Sequence, residues 1–421
     1  MTEHFITGYR EAEQTLRLPG LHQALYDADT VFLHQTVVCL HGDAHAKKKR
    51  IFSGVFNRRF YKHYQNHVFP QAVKETMDPA IAAGGGDMAQ FAYRVLINLT
   101  ADSAGIDRRH TETDTDRLLA LLVKLGHAPT MGQLTDPSDR DRLLAELEEA
   151  LTAFRGEFFE PSLARRKTII TQFDAGEIAK SDLPQDAITA QLITDPTDEN
   201  LPYEERMKDA AFFILAGAFT TANVLMNMVN NVLDWFEDHP EDRQNLMDDP
   251  ILMQKFIWEN TRLHPASPIT KRRALCPMHL PDGHNAEQDE FVTIDLTKTN
   301  RHANLFGEDA EAFNPHRTPD NNLPLHGLSF GGGAHVCLGK LLAVGVRITE
   351  DNKDAEETEV GTIALVLKEL LRHGIARDPS KLAEIDESTA RRHFKALPFI
   401  FDPVLSVSTV LPDTPISASS S

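Results

Sequence analysis

The sequence predicts a mainly α-helical fold, because apolar residues recur at helical spacing in segments that end at glycine, proline or polar residues. The longest pattern covers residues 202–236, opens with Pro202 and carries Glu204 and Glu205 near its start, as helix N-termini favour. Its middle, residues 210–219, is apolar on all sides and therefore predicts a buried core helix. Further helical patterns cover residues 8–27, 88–104, 139–160, 251–263 and 362–371.

Composition narrows the class of protein. Of 421 residues, 41% are apolar, enough for a substantial core, and 43 Lys and Arg stand against 62 Asp and Glu, a net charge of −19. This acidic balance argues against a nucleic-acid partner and for a soluble protein. Three widely spaced cysteines, Cys39, Cys276 and Cys337, predict no disulfide framework and favour a cytoplasmic location. The sequence predicts no signal peptide and no membrane span.

Residues 329–340 form the stretch around which the chain is organised, and we call them the cysteine loop. Three consecutive glycines allow a tight turn with positive φ, and a helix-like apolar segment starts near Leu338. Cys337 therefore lies beside a helix N-terminus, where amide dipoles are expected to lower the pKa of its thiol. A thiolate here could be a nucleophile, a metal ligand or an ordinary buried cysteine. Zinc has little support, because no C-x-x-C or second His/Cys pair lies nearby.

The spacing of the cysteine loop resembles one known motif. Phe330, Gly333, His335, Cys337 and Gly339 fit the pattern F-x-x-G-x-H-x-C-x-G, the haem-binding loop of the cytochrome P-450 family. The resemblance implies a mainly α fold with a small β region, in which haem b is buried between a long central helix and the helix of the cysteine loop. It also implies that the Cys337 thiolate is the axial ligand of the haem iron. The other loop residues that it places at the haem are Phe330, Gly331, His335 and Gly339.

A run of small residues and threonines lies inside the long central pattern. By itself this run fits close helix packing with two threonines bonded to their own helix. Beside the cysteine loop it resembles the family's oxygen-binding groove, A-G-x-[DE]-T, which implies haem contact at Ala216 and Gly217 and catalytic hydroxyls at Thr220 and Thr221. Phe219 stands at the acidic position, and a phenyl ring has no titratable or donor group for a proton relay.

Glu259 and Arg262 lie three residues apart on one helix face and could form an ordinary exposed ion pair. Glu259 follows Thr220 by 39 residues and precedes Cys337 by 78 residues. This spacing is similar to that of the family. The resemblance then implies a buried structural network that Arg317 completes.

The resemblance also implies cationic partners for the haem propionates, since guanidinium can bind a carboxylate through two parallel hydrogen bonds. The matching positions are His45, Arg272, His335 and either Lys49 or Arg50. Without the resemblance, the basic run at 47–50 is an ordinary solvated helix face. The substrate-lining residues that the resemblance implies are Pro268, Ile269 and Thr270.

Four segments depart from the family pattern or lack a clear structural signal. Only 44 residues precede His45, so either the first strands of the sheet are built differently or the sequence begins downstream of a natural start. Residues 173–201 resemble a mobile lid but also fit a plain surface connection. Acidic residues crowd an insertion at about 347–361, which predicts an exposed loop, and the tail at about 412–421 is expected to be flexible.

The resemblance implies a single cytochrome P-450 domain over residues 1–421, of the soluble bacterial type. Its expected activity is a monooxygenase that inserts one oxygen atom of O2 into an apolar organic substrate. Electrons from NAD(P)H are expected through a ferredoxin or flavodoxin partner, which a basic patch of residues 47–50 with Arg58 and Arg59 could dock. Two alternatives stay open: a peroxide-driven or otherwise atypical haem-thiolate enzyme, which Phe219 motivates, and a haem-binding sensor or ligand carrier without catalysis. No residue selects among terpenoid, steroid, fatty acyl and aromatic substrates.

Overall fold

The computed structural model describes residues 2–53, 55–134, 136–197, 199, 201–319, 323–353, 358–387, 391 and 393–407. Sixteen α-helices and eleven short strands lie within these residues. The helices are α1 Tyr9–Thr15, α2 Gly42–Ser53, α3 Arg58–His63, α4 Phe69–Ala82, α5 Met88–Ala104, α6 Glu112–Leu125, α7 Arg140–Phe154, α8 Glu160–Asp174, α9 Ala187–Thr194, α10 Tyr203–Asp238, α11 Asp242–Asp248, α12 Pro250–Leu263, α13 Leu296–Thr299, α14 Ala303–Phe306, α15 Lys340–Val344 and α16 Thr362–Arg372. The strands are β1 Glu3–Ile6, β2 Leu21–Gln23, β3 Gly85–Asp87, β4 Ile269–Ala274, β5 Met278–His279, β6 Asn285–Ala286, β7 Phe291–Asp295, β8 Ile375–Arg377, β9 Glu384–Ile385, β10 Phe394–Ala396 and β11 Pro398–Phe401. The predicted flexible tail and residues 354–357 of the predicted insertion lie outside the described residues.

The central element is α10, whose 36 residues make it about 54 Å long. Pro202 is its N-cap, and Glu204 and Glu205 lie in its first turn, as the sequence predicts. By length and apolar composition α10 could cross a membrane, but 56% of its most apolar window is buried inside the molecule, as for a core helix. Helices α5, α6, α12 and α16 pack around it. The fold is thus mainly α-helical, which confirms the prediction.

Strands that are far apart in the sequence form the largest sheet, in the order β1-β7-β4-β2. β1 pairs in parallel with β7, from Glu3 opposite Phe291 to Ile6 opposite Ile294. β4 runs antiparallel to both β7 and β2. A second sheet has the order β3-β11-β8, and two hairpins, β5-β6 and β9-β10, complete the described β structure. The residues before α2 therefore supply two of the four strands in the main sheet.

Three sequence-based boundaries need correction. The single helix predicted over residues 8–27 is α1 followed by β2, because residues 21–23 pair with β4. The helix predicted over 139–160 continues through a π-helical turn at Arg155–Phe159 into α8. Residues 173–201 are not a plain surface connection. They contain α9, which packs against α2 and α8 and buries Ile188, Thr189 and Gln191 almost completely.

The acidic insertion separates two helices whose ends touch. α15 ends just before Gly345 and α16 starts after Gly361, and a Cβ at Gly361 would lie 2.4 Å from the amide nitrogen of Gly345. Both glycines have positive φ, 76° and 84°, which other residues rarely adopt. Between them, the amide of Ile348 donates to Oε1 of Gln254 on α12 (2.8 Å). The base of the insertion is therefore fixed beside the cysteine loop.

Candidate active site

The conformation of the cysteine loop depends on two glycines. Gly331 and Gly333 have φ of 68° and 64°, positive values that glycine adopts freely. A Cβ at Gly333 would also lie 2.4 Å from the carbonyl oxygen of Leu16, so no larger residue fits there without a shift of the backbone. Leu328, just before the loop, is buried in a small core that the main sheet shares with α1. The loop is thus held against the N-terminal part of the chain.

Cys337 lies near the end of the loop, and its amide donates to the carbonyl of Phe330 (3.0 Å). Burial raises the pKa of its thiol, although the amides of Gly339 and Lys340 act in the opposite direction. The predicted lowering of this pKa is therefore wrong, because α15 has only five residues and lost solvation outweighs its dipole. The Cys337 side chain nevertheless remains exposed. Its sulfur is enclosed by protein but not packed against it, which leaves it accessible to a group that it could ligate.

Side chains from α2, β4 and the cysteine loop form a cationic cluster beside Cys337. The rings of His45 and His335 lie 4.2 Å apart between centroids, and Nζ of Lys49 donates to the carbonyl of Ala334 (2.5 Å). Burial lowers the pKa of His335 to about 3, and the nearby charges of His45 and Arg272 lower it further. The structure thus brings together the predicted propionate partners. We call His45, Lys49, Arg272 and His335 the cationic cluster; its positive charge at neutral pH comes from Lys49 and Arg272, because the pKa of each histidine is lowered.

Arg272 is the most deeply placed cation of this cluster. It is 4% exposed, and burial lowers the pKa of its guanidinium to about 10. Its Nη1 donates to three neutral oxygens: Oε1 of Gln23 (2.5 Å), Oγ1 of Thr270 (2.6 Å) and the carbonyl of Lys271 (3.1 Å). Within the described part of the chain, no carboxylate pairs with any member of the cationic cluster. Two cations without acidic partners among the described residues, the buried Arg272 and the partly exposed Lys49, fit an anionic ligand.

The middle of α10 carries a partly exposed strip inside an otherwise buried helix. Ala216, Gly217 and Thr220 are partly exposed, whereas Ala218 and Thr221 point to buried faces. The Thr220 hydroxyl donates to the carbonyl of Ala216 (2.6 Å), and α10 stays continuous there. Thr220 therefore keeps its oxygen lone pairs free to accept hydrogen bonds from the exposed side. Thr221, the second predicted hydroxyl, does not share this strip.

Gly217 also has a packing role. A Cβ at this position would lie 2.7 Å from Cγ2 of Thr100 on α5. Thr100 is held in place because its hydroxyl donates to the carbonyls of Leu96 (2.7 Å) and Ile97 (3.3 Å). Gly217, which is predicted to contact the haem, therefore also allows α5 to pack closely against α10.

Phe219 points toward α5 and α6. Its ring packs against Tyr93 of α5, with 4.9 Å between centroids, and its Cε1 would lie 3.0 Å from a Cβ at Gly126. The Tyr93 hydroxyl donates to Oδ1 of Asn223, one turn further along α10 (3.3 Å). Apolar packing therefore fills the position at which the family pattern has an acid, and a neutral polar pair follows it.

Comparison with known proteins agrees with this arrangement. The family model for cytochrome P-450 matches residues 229–344. A biotin biosynthesis cytochrome P-450 of Bacillus subtilis (strain 168) is 23% identical over 349 residues, which cover 80% of this chain and 79% of that protein. The crystal structure of P450BioI in complex with hexadec-9Z-enoic acid ligated acyl carrier protein superposes with a TM-score of 0.69 at 21% identity, over 94% of this chain and 92% of that one. The chain therefore has the cytochrome P-450 fold.

One of the relatives is named for its reaction. A vitamin D(3) 25-hydroxylase of Pseudonocardia autotrophica is 30% identical over 206 residues, which cover 47% of this chain and 48% of that protein.

The chain has a buried ion-pair network on α12. Arg262 donates to the two carboxylate oxygens of Glu259 through Nε (2.8 Å) and Nη2 (2.7 Å), and Nε of Arg317 donates to the same carboxylate (3.2 Å). Arg262 also donates to the carbonyls of Asn300 (2.8 Å) and Ala310 (2.7 Å). The structure therefore brings together the three residues of the expected network. It ties α12 to the chain segment that leads to the cysteine loop.

The basic run at residues 47–50 does not form one exposed face, contrary to the patch that the sequence suggests. Lys48 is 5% exposed, and its Nζ lies 2.9 Å from Asp209 and 3.0 Å from Glu205, both on α10. It therefore joins α2 to the central helix. Arg50 is exposed, whereas Lys49 turns to the cysteine loop, so Lys49 is the member of the cationic cluster.

Sequence reasoning missed three polar residues at the site. Gln23 meets Arg272 because β2 pairs with β4, and no local pattern encodes that register. Tyr93 and Asn223 are 130 residues apart in the chain. Their one sequence signal is that Asn223 follows Phe219 by four residues, which places both on one face of a helix.

The residues present fit a haem at its propionates and at its iron. A haem carries two negatively charged propionates and an iron that can take an axial thiolate. The cationic cluster provides buried donors without acidic partners in the described part of the chain, and Cys337 provides an enclosed, accessible sulfur. The chemistry of this donor set is therefore that of a haem-thiolate site.

Proposed function

We propose that Cys337 Sγ is the axial ligand of haem b and that the cationic cluster binds the propionates. The observation that carries the proposal is that Arg272 and Lys49 have no acidic partner in the described part of the chain and lie beside an accessible thiol. Each hydrogen bond to a charged group contributes about 1.5–3 kcal/mol, so two propionates offset much of the burial cost of the cluster. The further loop residues proposed to contact the haem are Phe330, Gly331 and Gly339.

Ligation requires that the Cys337 thiol lose its proton. The amides of Gly339 and Lys340 and the ammonium group of Lys340 favour the negative sulfur, because each acts against the burial that raises the thiol pKa. These groups therefore stabilise the thiolate in the ligated state. Bound haem supplies the redox chemistry that cleaves the O–O bond.

The proposed reaction converts R–H, O2, NAD(P)H and one proton into R–OH, water and NAD(P)+. Thr220 places its hydroxyl oxygen on the partly exposed strip of α10, where it can accept a hydrogen bond while the hydroxyl donates its own hydrogen to the Ala216 carbonyl. Ala216 and Gly217 are small residues and add little bulk to this strip. The residues proposed to line the substrate side are Pro268, Ile269 and Thr270, and the substrate is an apolar organic molecule.

A ferredoxin or flavodoxin is the proposed electron donor, and the cytoplasm is the proposed location. Lys47, Arg50 and Arg59 are exposed and could attract an acidic carrier. Lys48 is excluded from this surface by its burial.

Replacing Arg272 with Gln is expected to weaken haem binding by about ten- to a hundredfold, because it removes a charge-assisted partner of one propionate. The rate of haem transfer from the holoenzyme to apomyoglobin measures the change. Arg273→Gln is the matched control: this neighbour is 38% exposed and lies 3.4 Å from Asp27. Equal rates of haem loss from the two variants would contradict the propionate assignment.

A peroxide-driven reaction is the second candidate, because Phe219 packs against Tyr93 where an acid would relay protons. In that reaction R–H and H2O2 give R–OH and water without an electron donor. We expect turnover with NADPH, a ferredoxin and its reductase to exceed peroxide-driven turnover by at least about tenfold. Equal rates with peroxide alone would favour the second candidate, and no product with peroxide would remove it.

A further inference from the structure

We propose that the side-chain amide of Asn223, oriented by Tyr93, supplies beside Thr220 the hydrogen-bond donor that Phe219 cannot supply. The inference rests on the proposed function, because it requires that the Thr220 strip of α10 faces the haem. It assigns a role in proton delivery to two neutral residues, one on α10 and one on α5.

Helix geometry places Asn223 on the required side of α10. At 3.6 residues per turn, Asn223 lies about 60° from Thr220 around the helix axis and about 40° from Phe219. Side chains three and four residues apart have Cβ atoms about 5–6 Å from each other, so the amide reaches the surroundings of both positions. Asn223 is partly exposed, whereas the next residues, Val224 and Leu225, are buried.

Tyr93 determines which way the amide points. Its hydroxyl donates to Asn223 Oδ1 (3.3 Å), so the amide nitrogen Nδ2 turns to the opposite side. Nδ2 carries two donor hydrogens and has no partner among the residues that the structure describes. The backbone carbonyl of Asn223 accepts from Nδ2 of Asn227 (2.8 Å), which leaves the side-chain amide unaffected.

The surroundings of Tyr93 keep it a donor. Burial raises the pKa of its phenol to about 12, and the negative charge of Asp386 acts in the same direction, so the hydroxyl stays protonated at neutral pH. The Phe219 ring lies against the tyrosine ring and restricts its movement. Asp386 is 30% exposed and lies 3.2 Å from His393.

Asn223 is a positioning residue, because an amide donates a hydrogen bond but does not release its proton near neutral pH. Its role is to orient a water molecule beside Thr220, and the proton comes from that water, which exchanges with solvent. The Phe219 ring fills the space toward Gly126. The water molecule is therefore expected on the side of Asn223.

The test uses Tyr93→Phe, which removes only the hydroxyl, and Asn223→Leu, which keeps the volume without donors. The holoenzyme is supplied with NADPH, a ferredoxin and its reductase, without an organic substrate. Hydrogen peroxide released per NADPH consumed is expected to rise about two- to tenfold in both variants, the effect of one lost hydrogen bond. Tyr9→Phe, at a buried tyrosine in the small core, is the control and should match the wild type.

Two further readouts separate this role from a purely structural one. The urea midpoints of Tyr93→Phe, Asn223→Leu and the double variant should be non-additive, because the two residues share one hydrogen bond. Asn223→Gln retains a donor and should recover part of the wild-type peroxide ratio.

Unchanged peroxide ratios with additive midpoints would overturn the inference. A wild type that already converts all consumed NADPH into peroxide would overturn it as well, since no donor would then be acting at Thr220. A wild type without the thiolate-type carbon monoxide spectrum overturns the proposed function itself. An intact spectrum with unchanged ratios overturns only the role of Asn223.

Discussion

Replacing Glu259 with Gln is expected to lower the free energy of unfolding by about 3–5 kcal/mol, the usual cost of removing one partner from a buried ion pair. Its carboxylate accepts from Arg262 and Arg317, and the three residues are 0%, 0% and 7% exposed. Gln keeps the shape but not the charge, so two buried guanidinium groups lose the carboxylate that they share. Urea denaturation followed by circular dichroism measures the difference.

The matched control is Glu13→Gln. Glu13 bonds Arg10 three residues earlier (3.2 Å) and Arg17 four residues later (3.0 Å), both at the surface. Exposed pairs of this kind contribute at most about 1 kcal/mol, so this variant should unfold close to the wild type. If Glu259→Gln also unfolded close to the wild-type urea midpoint, the network on α12 would not be stabilising the fold.

Loss of the network is also expected to affect the cysteine loop, because hydrogen bonds connect this region to the start of the loop. Glu259 also accepts from the amide of Asn314 (3.1 Å), and Asn300 donates to Oγ of Ser329 at the start of the loop (2.8 Å). Loss of the shared carboxylate therefore loosens the support on which the loop rests.

The sequence was sufficient for features that depend on local pattern. The all-round apolar middle of α10 predicted its burial, and Pro202 with two glutamates predicted its start. The glycines of the cysteine loop predicted positive φ, which Gly331 and Gly333 adopt. Such features follow from helix periodicity and backbone sterics, which act over a few residues.

Other features depend on contacts between distant residues and could not be predicted. Lys48 belongs to a basic run that looks solvated, yet Asp209, 161 residues later, draws it into the interior. β1 pairs with β7 almost 290 residues away, and each strand has at most five residues, too few for a clear alternating pattern. The thiol pKa of Cys337 was predicted in the wrong direction because burial outweighs the short helix α15.

Replacing Cys337 with Ala is expected to abolish monooxygenase turnover, the largest functional effect that the site predicts. Alanine cannot ligate iron, and the axial thiolate is the ligand that favours O–O cleavage. The other two cysteines provide matched controls, since Cys39 is half-buried and Cys276 is exposed outside the cationic cluster. Cys39→Ala and Cys276→Ala should retain turnover. The expression levels of all three variants can be compared directly.

The measurement that tests the central claim most directly is the spectrum of the reduced, carbon monoxide-bound holoenzyme. The wild type, Cys39→Ala and Cys276→Ala are predicted to show the long-wavelength Soret band that is typical of an axial thiolate, and Cys337→Ala is predicted to lose it. Survival of that band in Cys337→Ala, or its absence from the wild type, would contradict the assignment of Cys337 as the haem ligand.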